Sequence, residues 1–327
     1  MRHRWVLLCL LGLTGLAYTP SLGGDYVYED SHDGALPADD WSGWPATIGS
    51  VLSVAPSYSG TMAIYRVVGH LTAMSPLAQR GISLSLHLLN GLLLWWIASR
   101  LWPPSGALLA AGLFLLHPIQ TESVAYIAAR SELVMGLALL LALLVAERGW
   151  PMLAWVFAAS AVVSKPAGGL VLLLVPLWAW WRRLPTWTPT TYVLWGVACW
   201  TPFLVALGIW QARPLAWASP EMLGGTGAAW TRLLALWVLP WGQTIDHDWA
   251  RVPLRVGVGA GLLWAGGLCW AVRRRESWWG LVTAWSGLLV LPRAIWQLGE
   301  GLHEHHLYAA TIPLSLATGA LWAGRRV

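Results

Sequence analysis

The sequence predicts an all-α, polytopic membrane protein, a bundle of about ten transmembrane helices with one extended extracytoplasmic loop. Three observations lead there. Of 327 residues, 57% are hydrophobic and only 11% charged, against roughly 45–50% apolar and about 25% charged in soluble domains. The apolar residues gather in runs near the length that crosses a bilayer, about 17–25 residues. Short Arg-rich flanks separate many of those runs, as they do where charge sets topology.

The predicted spans lie near 5–22, 80–100, 104–118, 131–147, 150–164, 167–182, 190–210, 253–272, 277–295 and 306–323. The first follows Arg2 and Arg4 and resembles a signal peptide, but the number of later spans favours a retained helix. Ala228–Leu239 is apolar but short, and reads as re-entrant or surface-lying. The 27 Trp against 3 Phe sit often at the ends of runs, as in Trp95-Trp96, Trp180-Trp181 and Trp278-Trp279. An indole is apolar with one polar N–H, which suits the membrane interface. Cys9, Cys199 and Cys269 each lie inside an apolar run with no CxxC spacing, so disulfide and zinc-finger readings are poor.

With the N-terminus in the cytoplasm, the inner ends hold Arg2, Arg4, Arg100, Arg148, Arg182, Arg183, Arg273, Arg274, Arg275, Arg325 and Arg326 of the 20 Lys+Arg. Of the 15 Asp+Glu, only Glu147 and Glu276 fall there. Ten spans return the C-terminus to the same side, so both termini are expected in the cytoplasm, with a bacterial inner membrane as the expected location. The other acidic residues then lie on or near the outer side, and that face holds the loop 23–65, the turn 117–130, the turn at Lys165, the stretch 211–253 and the turn 292–308. The net charge of +5 is spent on these flanks and does not indicate nucleic acid. Transporters place polar residues near the midplane, often within internal repeats. No repeat is visible and the polar residues cluster at one surface, which favours an enzyme working at the outer leaflet. A transporter, a flippase or a scaffold for polyprenyl-linked sugars is the rival.

The most informative segment runs from His117-Pro118-Ile119-Gln120-Thr121-Glu122 through Tyr126 to Arg130-Ser131-Glu132-Leu133. On one helix starting after Pro118, Glu122, Tyr126 and Arg130 would share a face at i, i+4 and i+8. Such a polar stripe beside a membrane needs water, a partner or a ligand. The bland alternative is an interfacial helix with a structural Glu–Arg pair.

This segment resembles the HP-x-x-T-E-x-V-x-x-x-x-x-R-x-[DE]-L signature of the transmembrane, tetratricopeptide-repeat O-mannosyltransferases and their bacterial relatives, within the GT-C superfamily. The likeness continues in order: His87-Leu88-Leu89-Asn90, Ser164-Lys165-Pro166 for S-K-E, Arg232-Leu233-Leu234 through Pro240 to Asp246-His247-Asp248, and Glu304-His305-His306-Leu307-Tyr308 for E-R-Y-L-Y. It covers most of the chain, read as one GT-C-like domain over 1–327 without a tetratricopeptide-repeat domain. Pro166 stands for the usual Glu and His305 for the usual Arg, which removes a permanent bidentate phosphate donor.

The resemblance implies an inverting hexosyltransferase. The donor would be a polyprenyl-phosphate sugar, the acceptor a hydroxyl on a protein, glycan or lipid, with membrane lipids as surroundings. In Asp25-Tyr26-Val27-Tyr28-Glu29-Asp30, just after the first span, the superfamily carries an acidic pair with a catalytic carboxylate. Asp30 becomes the general base, with Glu29 beside it, and Glu122 orients the acceptor. Arg130, Lys165 and His305 are expected to hold the donor phosphate, and His117, Tyr126, Tyr308 and Asp246 to line the cavity. No cofactor is assigned. His303-x-His305-His306 and Asp246-His247-Asp248 hint at a divalent metal, but neither supplies a full ligand set.

Overall fold

The computed structural model describes residues 2–27, 59–71, 75–199, 220–244, 254–273, 278–290 and 303–324. Every regular element among them is a helix. We number the α-helices α1 Arg2–Leu22, α2 Ser59–Leu71, α3 Pro76–Leu101, α4 Pro104–Leu116, α5 Thr121–Ala125, α6 Arg130–Glu147, α7 Pro151–Ser164, α8 Val171–Arg182, α9 Pro220–Val238, α10 Leu254–Arg273, α11 Trp278–Val290 and α12 Thr311–Trp322. Short 3-10 turns cover Pro118–Gln120, Pro166–Leu170 and Glu304–Leu307. Proline begins several of these elements, where its missing N–H costs nothing: Pro104, Pro118, Pro151 and Pro166 all sit in a first turn.

Among the described residues, two helices are long and apolar enough to cross a membrane, His3–Leu22 and Pro76–Leu101. A third span results if α4 and Pro118–Ala125, bent by 48° where they join, count as one. By itself α4, with 13 residues, extends about 20 Å, short of the ~30 Å hydrocarbon core. The membrane character shows on the surface of α1, where Trp5, Leu8, Leu13 and Leu16 are exposed. Water would penalise that arrangement and lipid does not.

The structure modifies several expected spans. The run at 104–118 stops at Leu116, because His117 adopts an extended backbone with its N–H on Leu113 O before Pro118. The run at 306–323 becomes a helix only at Thr311, after the 3-10 turn. Ala228–Val238 is the second half of a 19-residue helix, α9, and Leu239 follows its end. Within the expected loop 23–65, α2 begins at Ser59. The rest of that loop from residue 28 to 58 lies outside the described residues, as does 190–210 beyond residue 199.

The chain divides into two compact units. One comprises Met1–Leu10, Leu94–Glu122 and Pro214–Val327. In it α4 packs on α12, and α9, α10 and α11 contact one another in turn. Gly106 and Gly319 make the α4–α12 contact possible. A Cβ on Gly106 would lie 2.7 Å from Gly319 O, and one on Gly319 would lie 2.5 Å from Gly106 O. Small residues permit this backbone approach in membranes, where dispersion drives helix association. Beside it Phe114 meets Tyr308 edge to face at 5.3 Å, and Gln120 Nε2 donates to Thr311 Oγ1 at 2.7 Å.

The other unit comprises Leu11–Leu93 and Ser123–Arg213. Its centre is the α6–α7 hairpin, against which α2 and α8 pack. Gly149, at φ 82°, ends α6 in the left-handed conformation that glycine adopts without strain. The Trp150 N–H then reaches Val145 O at 3.1 Å, and Pro151 starts α7 at once. Glu147, at the end of α6, accepts from Trp178 Nε1 at 3.0 Å and Arg182 Nε at 2.7 Å, which fastens α8 to the hairpin. Thr61 of α2 donates to Ser164 O at 2.7 Å.

The glycine contact gives a direct test. Gly319→Val is expected to lower stability by about 1–3 kcal/mol, measured by thermal unfolding in detergent. Gly12→Val, with nothing within 4 Å of the added carbon, should stay within about 0.5 kcal/mol.

Candidate functional site

The first unit brings Glu122 and His305 together across 183 residues of sequence. Glu122 lies past the bend that ends α4, in the first turn of α5. His305 lies in the 3-10 turn Glu304–Leu307, which begins from an extended His303. That turn packs on the 3-10 turn Pro118–Gln120. The carboxylate is gripped at both oxygens. Oε2 accepts the backbone N–H of His305 at 2.8 Å, and Oε1 lies 2.8 Å from His305 Nδ1. His303 Nδ1 stands 3.6 Å from the same Oε1. Burial alone would push the Glu122 carboxyl upward. Hydrogen bonds from His305 and its positive charge, with the His303 ring close by, outweigh it and hold the group down at about 2.

His306 completes a cluster of three imidazoles, its ring 4.0 Å from that of His305 and 5.6 Å from that of His303. Glu304 turns elsewhere and accepts the Thr244 N–H at 3.1 Å, so it anchors the segment after α9. Glu122, His303 and His305 place one donor atom each within 4.8 Å of one another, a grouping that could hold a metal ion.

His117 stacks on Trp237 at 4.5 Å and 13°. Its Nδ1 accepts the Ile119 N–H at 3.3 Å, so Nε2 must carry the proton and donate to Trp237 O, 3.1 Å away. This is a neutral imidazole with a fixed tautomer. Tyr308 is wholly buried against Phe114.

One expectation is overturned here. Glu122, Tyr126 and Arg130 do not share the face of a continuous helix. The helix ends at Ala125 and the next begins at Arg130. Between them Ala129 N–H bonds Tyr126 O and Arg130 N–H bonds Ile127 O, at 3.2 and 3.0 Å, which is the tighter i→i+3 pattern. A tertiary contact accounts for the stop. Arg80 Nε donates to Ala125 O at 3.1 Å, taking a carbonyl that a continuing helix would use. The same guanidinium donates to Gly24 O and Asp25 O, so one side chain ties the root of the first loop to the end of α5. Tyr126, in the break, is half-buried.

The two expected phosphate-binding cations of the second unit have protein partners. Arg130 is fully buried and donates to Ser83 Oγ at 3.2 Å and Gln79 O at 2.8 Å. Lys165 pairs with Glu132, and both side chains are at most 9% exposed. Asn90 Nδ2 donates to Leu133 O at 3.0 Å, and His87 meets Tyr18 edge-on at 5.8 Å. Asp30, Glu29 and Asp246 lie outside the described residues.

Sequence reasoning missed Arg80 and Glu132 as participants. His303 entered it only as one end of His-x-His-His, without the carboxylate it stands beside. Glu132 stood inside the quoted motif. Arg80 sat at the mouth of an apolar run, where an unexplained charge is a signal by default.

No family model, no curated protein and no solved structure matches this chain.

Removing one partner of a buried ion pair leaves the other uncompensated, at a cost of about 3–5 kcal/mol. Lys165→Ala is therefore expected to lose that much stability, read from thermal or denaturant unfolding in detergent. The double change Lys165→Met with Glu132→Leu should recover most of it. If both proteins unfold at the same midpoint, the pair is not what holds the α6–α7 hairpin.

Proposed function

We propose that the chain is a membrane glycosyltransferase of GT-C type. It moves a sugar from a polyprenyl-phosphate donor to a hydroxyl acceptor on the extracytoplasmic face of a ten-span bundle, in a bacterial inner membrane with both termini cytoplasmic. The observation that carries this reading is the meeting of Glu122 with His305. Two of the segments that resemble the mannosyltransferases, far apart in sequence, pack together through Glu122 and His305. A family motif that served only to anchor a span would not require that pairing.

In this reading the acceptor oxygen attacks the anomeric carbon as the bond to the phosphate oxygen breaks. The lipid phosphate leaves with the bonding pair, and the acceptor proton passes to Asp30, with Glu29 beside it. Such a base contributes about 10²–10⁴-fold to rate. Glu122 orients the acceptor, and His305, Arg130 and Lys165 balance charge on the departing phosphate. Tyr126, His117, Tyr308 and Asp246 are assigned to the cavity lining.

A second reading, a non-catalytic carrier or scaffold for polyprenyl-linked sugars, draws on a different observation. Arg130 and Lys165 are already engaged by protein atoms, as structural cations would be.

Incubating the protein in detergent with a panel of polyprenyl-phosphate sugars and simple hydroxyl acceptors separates the two. Transfer predicts released polyprenyl phosphate. Donor binding with no release from any donor sinks the enzyme reading. With a donor in hand, Asp30→Asn should cut turnover by about 10²–10⁴-fold at nearly unchanged donor affinity, while Glu29→Gln should be milder. The reverse order would make Glu29 the base.

Sidedness is tested separately, in a background with Cys9, Cys199 and Cys269 replaced by serine. Ser42→Cys should label with an impermeant maleimide from outside, and Glu276→Cys should not. The opposite pattern turns the proposed active face toward the cytoplasm.

A further inference from the structure

We propose that Glu122, His303 and His305 form a binding site for a divalent transition-metal ion of the zinc class. The ligand set is two imidazoles and a carboxylate, which binds zinc with a fourth position left for water or a ligand oxygen. All three donor atoms lie within 4.8 Å of one another, and the three side chains are only 8–11% exposed. Donors about 2.0–2.2 Å from a tetrahedral zinc stand roughly 3.3–3.6 Å apart. The observed separations of 2.8 and 3.6 Å from Glu122 Oε1 to the two Nδ1 atoms need only small side-chain adjustments to admit the ion.

The surroundings of Oε1 support the assignment. Glu122 Oε2 is held by the His305 N–H, which fixes the carboxylate plane and leaves Oε1 toward both rings. Metal ligands are commonly oriented in this way by hydrogen bonds from outside the coordination sphere. His303 and His305 present Nδ1 to one oxygen at once. Without an ion, His305 Nδ1 reaches Oε1 at hydrogen-bond distance, while His303 Nδ1, at 3.6 Å, lies just beyond it. A single cation accepts all three lone pairs together, and imidazole suits zinc, copper, iron and nickel. The sequence alone offered three histidines and no fourth partner; the fold supplies the carboxylate from 183 residues away.

A cation held here would provide the positive charge assigned above to His305. The two readings nonetheless fail separately, because metal content is measured without donor or acceptor. The full chain, purified through a non-histidine tag and stripped with chelator, is dialysed against zinc at micromolar levels and its metal counted by mass spectrometry. One ion per chain is expected. His303→Gln and Glu122→Gln should each weaken binding by at least about 10–100-fold, and His306→Gln should retain it. Added zinc should raise the Tm of the wild type and leave the two ligand variants unmoved. Zinc content unchanged by both substitutions, or none in the wild type, overturns the site. If the variants do not fold, X-ray absorption of the zinc-loaded wild type decides. Outer-shell scattering from two imidazoles supports the site, and scattering from fewer overturns it.

Discussion

A charge in an apolar chain has to be matched where it stands, and the described helices are arranged around that requirement. Glu147 receives Arg182 and the Trp178 indole. Lys165 receives Glu132. Arg130 and Arg80 are surrounded by backbone carbonyls and a serine hydroxyl. Water at a protein surface would screen such groups. In a hydrocarbon setting an unmatched one is costly enough to select among packings. Apolar side chains fit many neighbours about equally well. The ionic partners therefore decide which helix lies beside which, and each compact unit has its own set.

The all-helical class and most helix positions were legible from the sequence, because apolar runs punctuated by Pro and Arg give direct starting points. What escaped was set by distant groups. Residues 121–133 contain neither Gly nor Pro, so nothing local announces the interruption at Tyr126. The stop comes from Arg80, which lies 45 residues away from Ala125. The helix Ser59–Leu71 was hidden for a related reason: it adjoins a polar stretch, and its register is fixed by a hydroxyl reaching Ser164 O.

The candidate site was half legible. Glu122 and His305 stood out by motif, yet their pairing depends on chain folding over 183 residues, which spacing does not encode. Arg130 and Lys165 stood out by charge, and charge alone does not tell a ligand-binding cation from one that protein atoms already hold, as Ser83 and Gln79 O hold Arg130 and Glu132 holds Lys165. Asn90 and His87 likewise have work within the packing, on Leu133 O and Tyr18. Motif residues in a membrane protein can thus be retained by the architecture as well as by chemistry.

The Arg80 contact also bears on the order in which the protein can assemble. Its acceptors come from both sides of it in the chain, Gly24 and Asp25 before and Ala125 after. During vectorial synthesis the guanidinium meets the first two as soon as it emerges. It obtains the third only when the segment ending α5 has been made. The start of the first loop therefore cannot reach its final anchorage until the second motif arrives. A chain truncated before Ala125 would leave the translocation machinery with that arginine incompletely engaged, a state by which quality-control proteases could recognise it.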